Sequence, residues 1–279
     1  MRDQARLLAS LAATVAITVA CSSGGTATVT RAGVPVTPRT TAPIIVSTSP
    51  STTLLAETAA PLRALLIGDS TLLAILRYNT FDAFQGFESV FDAQSCRTLG
   101  VKSCGIDPVP PNAVEAINAR TETFDIVVIM AGYDEWWTSF PDSFDEVVGA
   151  ARARGARHIV WLTYREGVGY TAPSGATANE AFVKNNETLR AKVASGQFPD
   201  VTLADWFTYT ATTTGWLTDD GIHLTRDGAR AAADFISRTI AHLEQRPCPA
   251  PWTVGGPIDD PCPDPSKHDP VGDIRSLYP

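Results

Sequence analysis

Two short segments contain the residue types needed for nucleophilic catalysis. Ser70 follows the apolar run ALLIGD at 64–69, and His223 closes the segment DDGIH at 219–223. A serine hydroxyl is a poor nucleophile until a neighbouring base removes its proton, and histidine is the side chain that most often does so. Alternatively, the Ser70 hydroxyl could cap a following helix. The pair predicts a serine nucleophile with His223 as its general base.

The segment before His223 also supplies a carboxylate. Asp220 precedes it by three residues with a glycine between, so one turn can fold the carboxylate back to the imidazole. Such a carboxylate fixes the tautomer and stabilises the imidazolium formed during proton transfer. Asp219 competes for this role from one residue further away. The other histidines are expected to be structural or peripheral: His158 opens an apolar run, His242 lies in a helical pattern and His268 lies in a Pro-rich tail.

Strand-like and helix-like segments alternate through the chain and must position these residues. The runs at 124–132 and 157–164 are apolar on both faces, as expected for central strands of a parallel sheet. The alternation predicts an α/β fold, a three-layer α/β/α sandwich with a central five-stranded parallel sheet, whose ligand site lies beyond the carboxyl ends of the strands. Strands are predicted at 63–69, 87–93, 124–132, 157–164 and 201–206, and helices at 112–120, 143–155, 178–195 and 226–245.

In these contexts the two segments resemble motifs of the SGNH/GDSL hydrolases. Gly-Asp-Ser at 68–70 is similar to the first motif of that family, and the Asp220–His223 segment before the last helix is similar to its Asp-x-x-His. The resemblance covers roughly residues 63–245. It implies a flavodoxin-like fold and serine ester hydrolysis with no cofactor or metal. Ser70 would be the nucleophile, His223 the base and Asp220 the orienting acid, while Asp69 would bind nearby backbone.

The resemblance also implies an oxyanion hole. The family uses backbone N–H groups of the nucleophile Ser70 and of a glycine, here Gly100 with Gly105 as rival, plus the side chain of an Asn in Gly-x-Asn-Asp. The corresponding segment is Gly-Tyr-Asp-Glu, so Gly132 matches but Asp134 stands where the family has Asn. A carboxylate cannot donate a hydrogen bond unless it is protonated. We expect Asp134 to turn away and bind nearby N–H groups; a buried, protonated Asp134 is the alternative.

Aromatic side chains lie on segments that leave the predicted strands. Trp136, Trp137, Tyr164 and Tyr170 could stack on a sugar ring, or they could simply pack the loops. We take Trp136 and Tyr164 as the candidates for substrate binding. The helix at 178–195 carries three asparagines that are expected on its surface: Asn179, Asn185 and Asn186.

The N-terminus has the pattern of an export signal. Arg2 and Arg6 flank a short n-region, and a small-apolar stretch at 7–20 follows that is too short to span a bilayer comfortably. Thr-Val-Ala-Cys at 18–21 resembles a bacterial lipobox, which implies that Cys21 is lipidated and anchors the protein to a membrane. A secreted protein with a spare Cys21 is the alternative. Residues 1–20 are thus predicted to be a signal peptide, 21–61 a Thr/Pro/Ser-rich tether, 62–245 the catalytic domain and 246–279 a Pro/Asp-rich tail.

The four other cysteines fall into two close pairs, Cys96/Cys104 and Cys248/Cys262. In an exported protein an even remainder predicts two local disulfides. Metal binding is the weaker alternative, because the chain contains no CxxC and His268 is the only histidine near either pair.

Composition excludes one class of partner. Apolar residues make up 44% of the chain, charged residues 19%, and the formal net charge is −8. Without a basic stripe the chain lacks the electrostatic footprint of a nucleic-acid-binding protein.

Taken together, the motifs and the N-terminal pattern predict an extracytoplasmic, lipid-anchored serine esterase that removes a short acyl group, such as acetyl, from a carbohydrate or another cell-envelope ester. An O-acyltransferase to envelope sugars and a degenerate carbohydrate-binding lipoprotein are the alternatives.

Overall fold

The apolar runs of the sequence form one six-stranded sheet. The computed structural model describes residues 44–47, 61–167, 177–249 and 261–267. The strands are β1 (Ile44–Ser47), β2 (Leu62–Gly68), β3 (Phe87–Ala93), β4 (Ile126–Met130), β5 (His158–Leu162) and β6 (Val201–Ala204). Their order is β1-β3-β2-β4-β5-β6. The five predicted parallel strands are confirmed; β1 is an additional edge strand, antiparallel to β3, within the segment predicted as a tether.

Helices connect the parallel strands, as a parallel sheet requires. They are α1 (Ser70–Tyr78), α2 (Ala113–Asn118), α3 (Phe140–Ala153), α4 (Ala178–Ala194), α5 (Trp206–Thr210) and α6 (Arg226–Leu243), with 3₁₀ turns at Phe81–Phe84 and Pro265–Lys267. The four predicted helices are confirmed to within a few residues. The short helices α1 and α5 were not predicted, because each follows a strand directly and carries too few turns to show a helical period.

Alternate residues of the central strands face two separate cores. Leu65 and Ile67 of β2 pack with residues of α2, α3 and α4, whereas Ala64 and Leu66 pack with residues of α1 and α6. Since side chains alternate across a strand, this division places helices on both faces of the sheet. The predicted three-layer α/β/α architecture is confirmed.

The strand order creates one position suited to a ligand. Numbered along the chain, the five parallel strands have the order 2-1-3-4-5, which is that of flavodoxin-like sheets. After β2 the chain forms β3 on one side of β2, and it then crosses to form β4 on the other side of β2. Ligands in such sheets bind outside the carboxyl end of the strand where the order reverses. That end of β2 is followed at once by Asp69 and Ser70.

Both predicted disulfides are confirmed, Cys96–Cys104 and Cys248–Cys262. The second fastens the chain after α6, where the Cys262 N–H donates to the Arg246 carbonyl. Among the described residues, no helix is long and apolar enough to cross a membrane. Several predictions concern residues outside the described ones. These are the signal peptide, Cys21, Tyr170, His268 and most of the tether and tail.

Candidate active site

Ser70 is the first residue of α1, directly beyond the end of β2. The chain must turn there from strand to helix within two residues. A Cβ atom at Gly68 would lie 2.1 Å from the Cβ of Leu72, so only glycine allows this close return of the helix onto the strand. The turn places the Ser70 hydroxyl at the positive end of the α1 dipole.

Asp69 is fully buried and fixes this turn. One carboxylate oxygen accepts from the Thr71 N–H and hydroxyl at 2.8 and 2.7 Å, and the other from the Gly132 and Tyr133 N–H groups at 3.1 and 3.2 Å. Burial raises the pKa of Asp69, partly offset by these hydrogen bonds. Asp69 thus joins the end of β2 to the end of β4, which is the backbone-binding role expected for it.

The structure brings together the three residues predicted to act in catalysis. His223 Nε2 lies 2.9 Å from Ser70 Oγ, and His223 Nδ1 lies 2.6 Å from Asp220 Oδ2. Because an ionised carboxylate can only accept, Nδ1 carries the proton of the neutral ring and Nε2 is free to accept from the serine hydroxyl. This is the relay needed to draw a proton from Ser70.

A tight turn before α6 holds Asp220 and His223. Gly221 adopts a φ of 71°, which favours glycine, and the Thr218 N–H donates to the His223 carbonyl at 2.8 Å. Partial burial alone would raise the pKa of Asp220. Hydrogen bonds from His223, from the N–H groups of Ile222 and His223, and from the Thr218 hydroxyl outweigh it and lower that pKa well below its usual range. Asp220 is therefore ionised throughout the neutral range, whereas Asp219 has no hydrogen bond to the imidazole.

The relay opens into a pocket of about 660 Å³. The sequence placed Asp134 at the site but did not identify four other wall residues, namely Ser95 and Cys96 of the loop after β3, Tyr133 of the loop after β4, and Phe182 of α4. The position of the first loop beside the point of strand-order reversal was the available signal. The described residues that line the pocket are Ser70, Ser95, Cys96, Tyr133, Asp134, Gly167, Phe182, Asp219, Asp220, Gly221, Ile222 and His223.

Gly100, the predicted oxyanion-hole glycine, does not line the pocket at Ser70 and instead borders a separate cavity. A Cβ atom there would lie 2.7 Å from Ser143 Oγ of α3, so its glycine serves close packing against that helix. Cys96 instead lines the pocket and adopts a φ of 68°, a conformation that favours glycine. Within the described chain, no acceptor is bound to the backbone N–H of Cys96 or of Ser70. These two N–H groups are better candidates than Gly100.

Gly132 has a structural role rather than a place in an oxyanion hole. Its N–H donates to Asp69, so this group is already used. Its φ is 113°, and a Cβ atom would lie 2.3 Å from the Tyr164 hydroxyl. The matching glycine is therefore explained by backbone conformation and by the close approach of a buried ring.

Asp134 faces the pocket, and the expectation that it caps nearby backbone is wrong. No described donor binds its carboxylate, whereas its buried neighbour Glu135 accepts from the Leu99 N–H and the Ser139 and Ser143 hydroxyls. Burial against the pocket wall raises the pKa of Asp134 to about 6; the charge of Asp69 adds to the rise and that of His223 opposes it. Solvent still reaches the carboxylate through the open mouth of the pocket.

The two candidate substrate-binding aromatics differ. Tyr164 is only 2% exposed, and its hydroxyl donates to the Ala131 carbonyl at 2.8 Å, so its ring packs the core and does not line the pocket. Trp136 is 40% exposed and lines a smaller cavity beside the pocket. Tyr133 is the aromatic residue that lines both.

Two of the three asparagines expected on the surface of α4 are buried. The Asn186 amide oxygen accepts from the Tyr164 N–H, and its NH₂ donates to the Tyr164 carbonyl and to Glu166. The Asn185 NH₂ donates to the Glu135 carbonyl at 3.0 Å. Both side chains thus hold loops that follow strand ends, a role that helical periodicity does not reveal because it separates only apolar from polar faces.

Comparisons with known proteins give the following likenesses. No protein-family model and no curated protein matches the sequence. A proposed SGNH hydrolase from Slackia heliotrinireducens is 21% identical (TM-score 0.48), the match covering 65% of this chain and 100% of the other. The carbohydrate acetylesterase Est24 from Sinorhizobium meliloti is 16% identical (TM-score 0.47), and the match covers 65% of this chain and 99% of the other. The aryl esterase of M. smegmatis is 17% identical (TM-score 0.47), and the match covers 64% of this chain and 98% of the other. At these values the likenesses assign no activity, and the function must be argued from the site.

Proposed function

We propose that the chain is a serine ester hydrolase of the SGNH/GDSL type. The observation that carries this proposal is the continuous relay from Ser70 Oγ through His223 to Asp220, with distances of 2.9 and 2.6 Å, at the wall of an open pocket. No group of three or more possible metal ligands occurs among the described residues. The likeness to a carbohydrate acetylesterase agrees with the proposal without carrying it.

In the first step Ser70 Oγ attacks the ester carbonyl carbon while its proton passes to His223 Nε2. The carbonyl oxygen becomes an oxyanion, and the Asp220 carboxylate stabilises the imidazolium. The C–O bond to the alcohol then breaks, the alcohol leaves with the proton from Nε2, and an acyl group remains on Ser70. Water repeats the sequence, so that the acid is released and the serine hydroxyl is restored.

The oxyanion needs donors within hydrogen-bonding distance. The N–H groups of Ser70 and Cys96 fit this requirement best, because both residues line the pocket and neither N–H has a described partner. The α1 N-terminus adds a favourable field for negative charge at Ser70. An ionised Asp134 acts in the opposite sense.

We further propose that the natural substrate is a short-chain, such as acetyl, ester of a carbohydrate or of another cell-envelope molecule. Ser70 opens onto a pocket with both apolar and polar walls, a combination that suits a small acyl group on a polar alcohol. The same acyl-enzyme could transfer its acyl group to a sugar hydroxyl. Purified protein should release acid from short aryl esters and O-acetylated glycans without an acceptor. Release only with added sugar would indicate a transferase, and binding without turnover a carbohydrate-binding protein.

The location outside the cytoplasm is also a proposal, supported by two disulfides in the described chain and by the signal-like N-terminus. Lipidation of Cys21 should place the enzyme on a membrane. A Cys21→Ser protein should therefore lose membrane association. Equal partitioning of the variant and the natural protein into the membrane fraction would refute the anchor.

A further inference from the structure

A second, smaller cavity adjoins the candidate active site. It is lined by Tyr133, Asp134, Glu135, Trp136, Ala178 and Ala181, and it has a volume of about 50 Å³. Tyr133 and Asp134 are also part of the wall of the larger pocket. The two spaces are therefore neighbours that share these two side chains, so a substrate group bound in the smaller one would lie beside the larger pocket.

Negative charge is in excess around this small cavity. Asp134 forms no hydrogen bond or ion pair within the described chain, and the base whose charge acts on its carboxylate is His223, which lines the larger pocket and not the small cavity. The Glu135 carboxylate is occupied by three donors, and its carbonyl accepts from Asn185. No lysine or arginine is among the described lining residues. The nearby Lys184 is paired with Glu180 at 2.6 Å.

The aromatic side chain in the wall of this cavity also favours a cation. Trp136 is one of four large apolar side chains in the described chain that are at least 40% exposed, and the face of an indole ring attracts cations. Its neighbour Trp137 already binds one, since Lys184 Nζ lies 4.2 Å from the centroid of that ring. The α4 N-terminus, which begins at Ala178, would disfavour a cation, but the Thr177 hydroxyl caps it and Glu180 lies in its first turn. A carboxylate beside an exposed indole therefore favours a cation.

Size restricts the cation to a small one. A cavity of about 50 Å³ has room for roughly three or four water-sized groups. An aminomethyl group fits this space, whereas a sugar ring does not. Stacking of a sugar on Trp136 inside the cavity is thereby disfavoured.

We propose that this cavity is a subsite for a protonated amine of the substrate, with Asp134 as the counter-charge and Trp136 as the aromatic wall. The inference rests on the proposed esterase function and narrows its substrate class to esters that carry an ammonium group. The ammonium would neutralise Asp134 and so reduce its repulsion of the oxyanion. The amine can belong to the alcohol or to the acyl portion of the ester.

Matched aryl esters test the alcohol side. We would compare 4-(aminomethyl)phenyl acetate with its neutral isostere 4-ethylphenyl acetate and with anionic 4-(carboxymethyl)phenyl acetate, dividing each kcat/KM by the rate of hydroxide-catalysed hydrolysis. The para position prevents transfer of the acetyl group to the amine within the molecule. Phenyl esters of β-alanine and of butanoate test the acyl side in the same way. On one of the two sides, the cation should be preferred over its neutral isostere by about tenfold.

Two variants test whether Asp134 and Trp136 cause the preference for the cationic ester. Asp134→Asn should bring the cation-to-neutral ratio to within about twofold, and Trp136→Ala should reduce it by about threefold. The matched control is Asp219→Asn, which removes the same charge from the larger pocket but lies outside the small cavity, and should keep most of the preference. A wild-type ratio near one on both sides, or an unchanged ratio in Asp134→Asn, would overturn the subsite.

A binding measurement separates this inference from the proposed function. Failure of Ser70-dependent hydrolysis of 4-ethylphenyl acetate would refute the esterase but not the cavity. In that case benzylammonium should still shift the Trp136 indole N–H resonance, assigned through Trp136→Phe, and should do so less in Asp134→Asn. No shift at saturating probe, or an equal shift in both proteins, would refute the subsite itself.

Discussion

The two sides of the candidate site are held in different ways. Ser70 stands on a buried network, in which the fully buried Asp69 accepts four hydrogen bonds from three residues. His223 and Asp220 lie on a turn before α6, with side chains 50% and 47% exposed and with mostly local hydrogen bonds. A substitution on the nucleophile side should therefore lower both activity and the free energy of unfolding. A substitution on the base side should lower activity with little change in the free energy of unfolding.

The base side should give the largest effect. His223→Ala leaves no group to accept the Ser70 proton, so kcat should fall at least about a thousandfold. Because the ring is half exposed, the free energy of unfolding should change by no more than about 0.5 kcal/mol. Steady-state kinetics with a short aryl ester and chemical denaturation measure the two quantities. A folded variant with near-normal turnover would refute the relay.

The nucleophile side should lose stability as well as activity. Asp69→Ala removes the cap of α1 and leaves the N–H groups of Gly132 and Tyr133 without their acceptor, so the free energy of unfolding should fall by about 2–4 kcal/mol. Asp219→Ala, at an exposed position in the base-side turn, is the control and should cost about 0.5 kcal/mol or less. Equal stability of the two variants would contradict the contrast between the sides.

The two disulfides provide an internal comparison of the same kind. Replacing either pair by alanines should lower the free energy of unfolding by roughly 2–3 kcal/mol, since both loops are short. Only loss of Cys96–Cys104 should also lower kcat, by about tenfold, because Cys96 lines the pocket whereas the other pair follows α6. The double variants are compared by denaturation and by kinetics. Equal kcat in both would remove Cys96 from the proposed oxyanion hole.

The smallest effect concerns Asp134 and depends on pH. As the pH rises through the Asp134 pKa of about 6, the carboxylate ionises and opposes the oxyanion, whereas asparagine at this position cannot ionise. On a neutral ester, the ratio of kcat/KM in Asp134→Asn to that in the wild type should therefore rise with pH by about three- to tenfold. Taking this ratio cancels the titration of groups common to both proteins. A ratio that falls with pH would show that the ionised carboxyl group assists catalysis.

The sequence was sufficient to predict what depends on periodicity and on local spacing. All five parallel strands follow from apolar runs, and Asp220 meets His223 because three residues with a glycine can close one turn. Ser70 and His223 are distant in sequence, but each lies on a segment that follows a parallel strand, and ligand sites of such sheets form beyond the carboxyl ends of the strands.

The errors share one physical cause, namely contacts between segments distant in sequence. Gly100 was assigned from residue type, but its surroundings are set by α3. Tyr164 was taken as a substrate-binding candidate because it lies where a strand ends, yet its ring packs in the core. Asn185 and Asn186 lie on a helix whose polar residues were expected in solvent, and they instead bind backbone groups of loops. Such partners are not visible in a local pattern.

The most direct test of the central claim is to trap the acyl-enzyme. Brief incubation with a short-chain aryl acetate, followed by acid quenching and peptide mass spectrometry, should show one acetyl group on the peptide that contains Ser70. The acetyl group should disappear as water turns the enzyme over, and it should be absent from Ser70→Ala. Ser70→Ala with undiminished ester hydrolysis, or stoichiometric acetylation at another residue during turnover, would contradict the account.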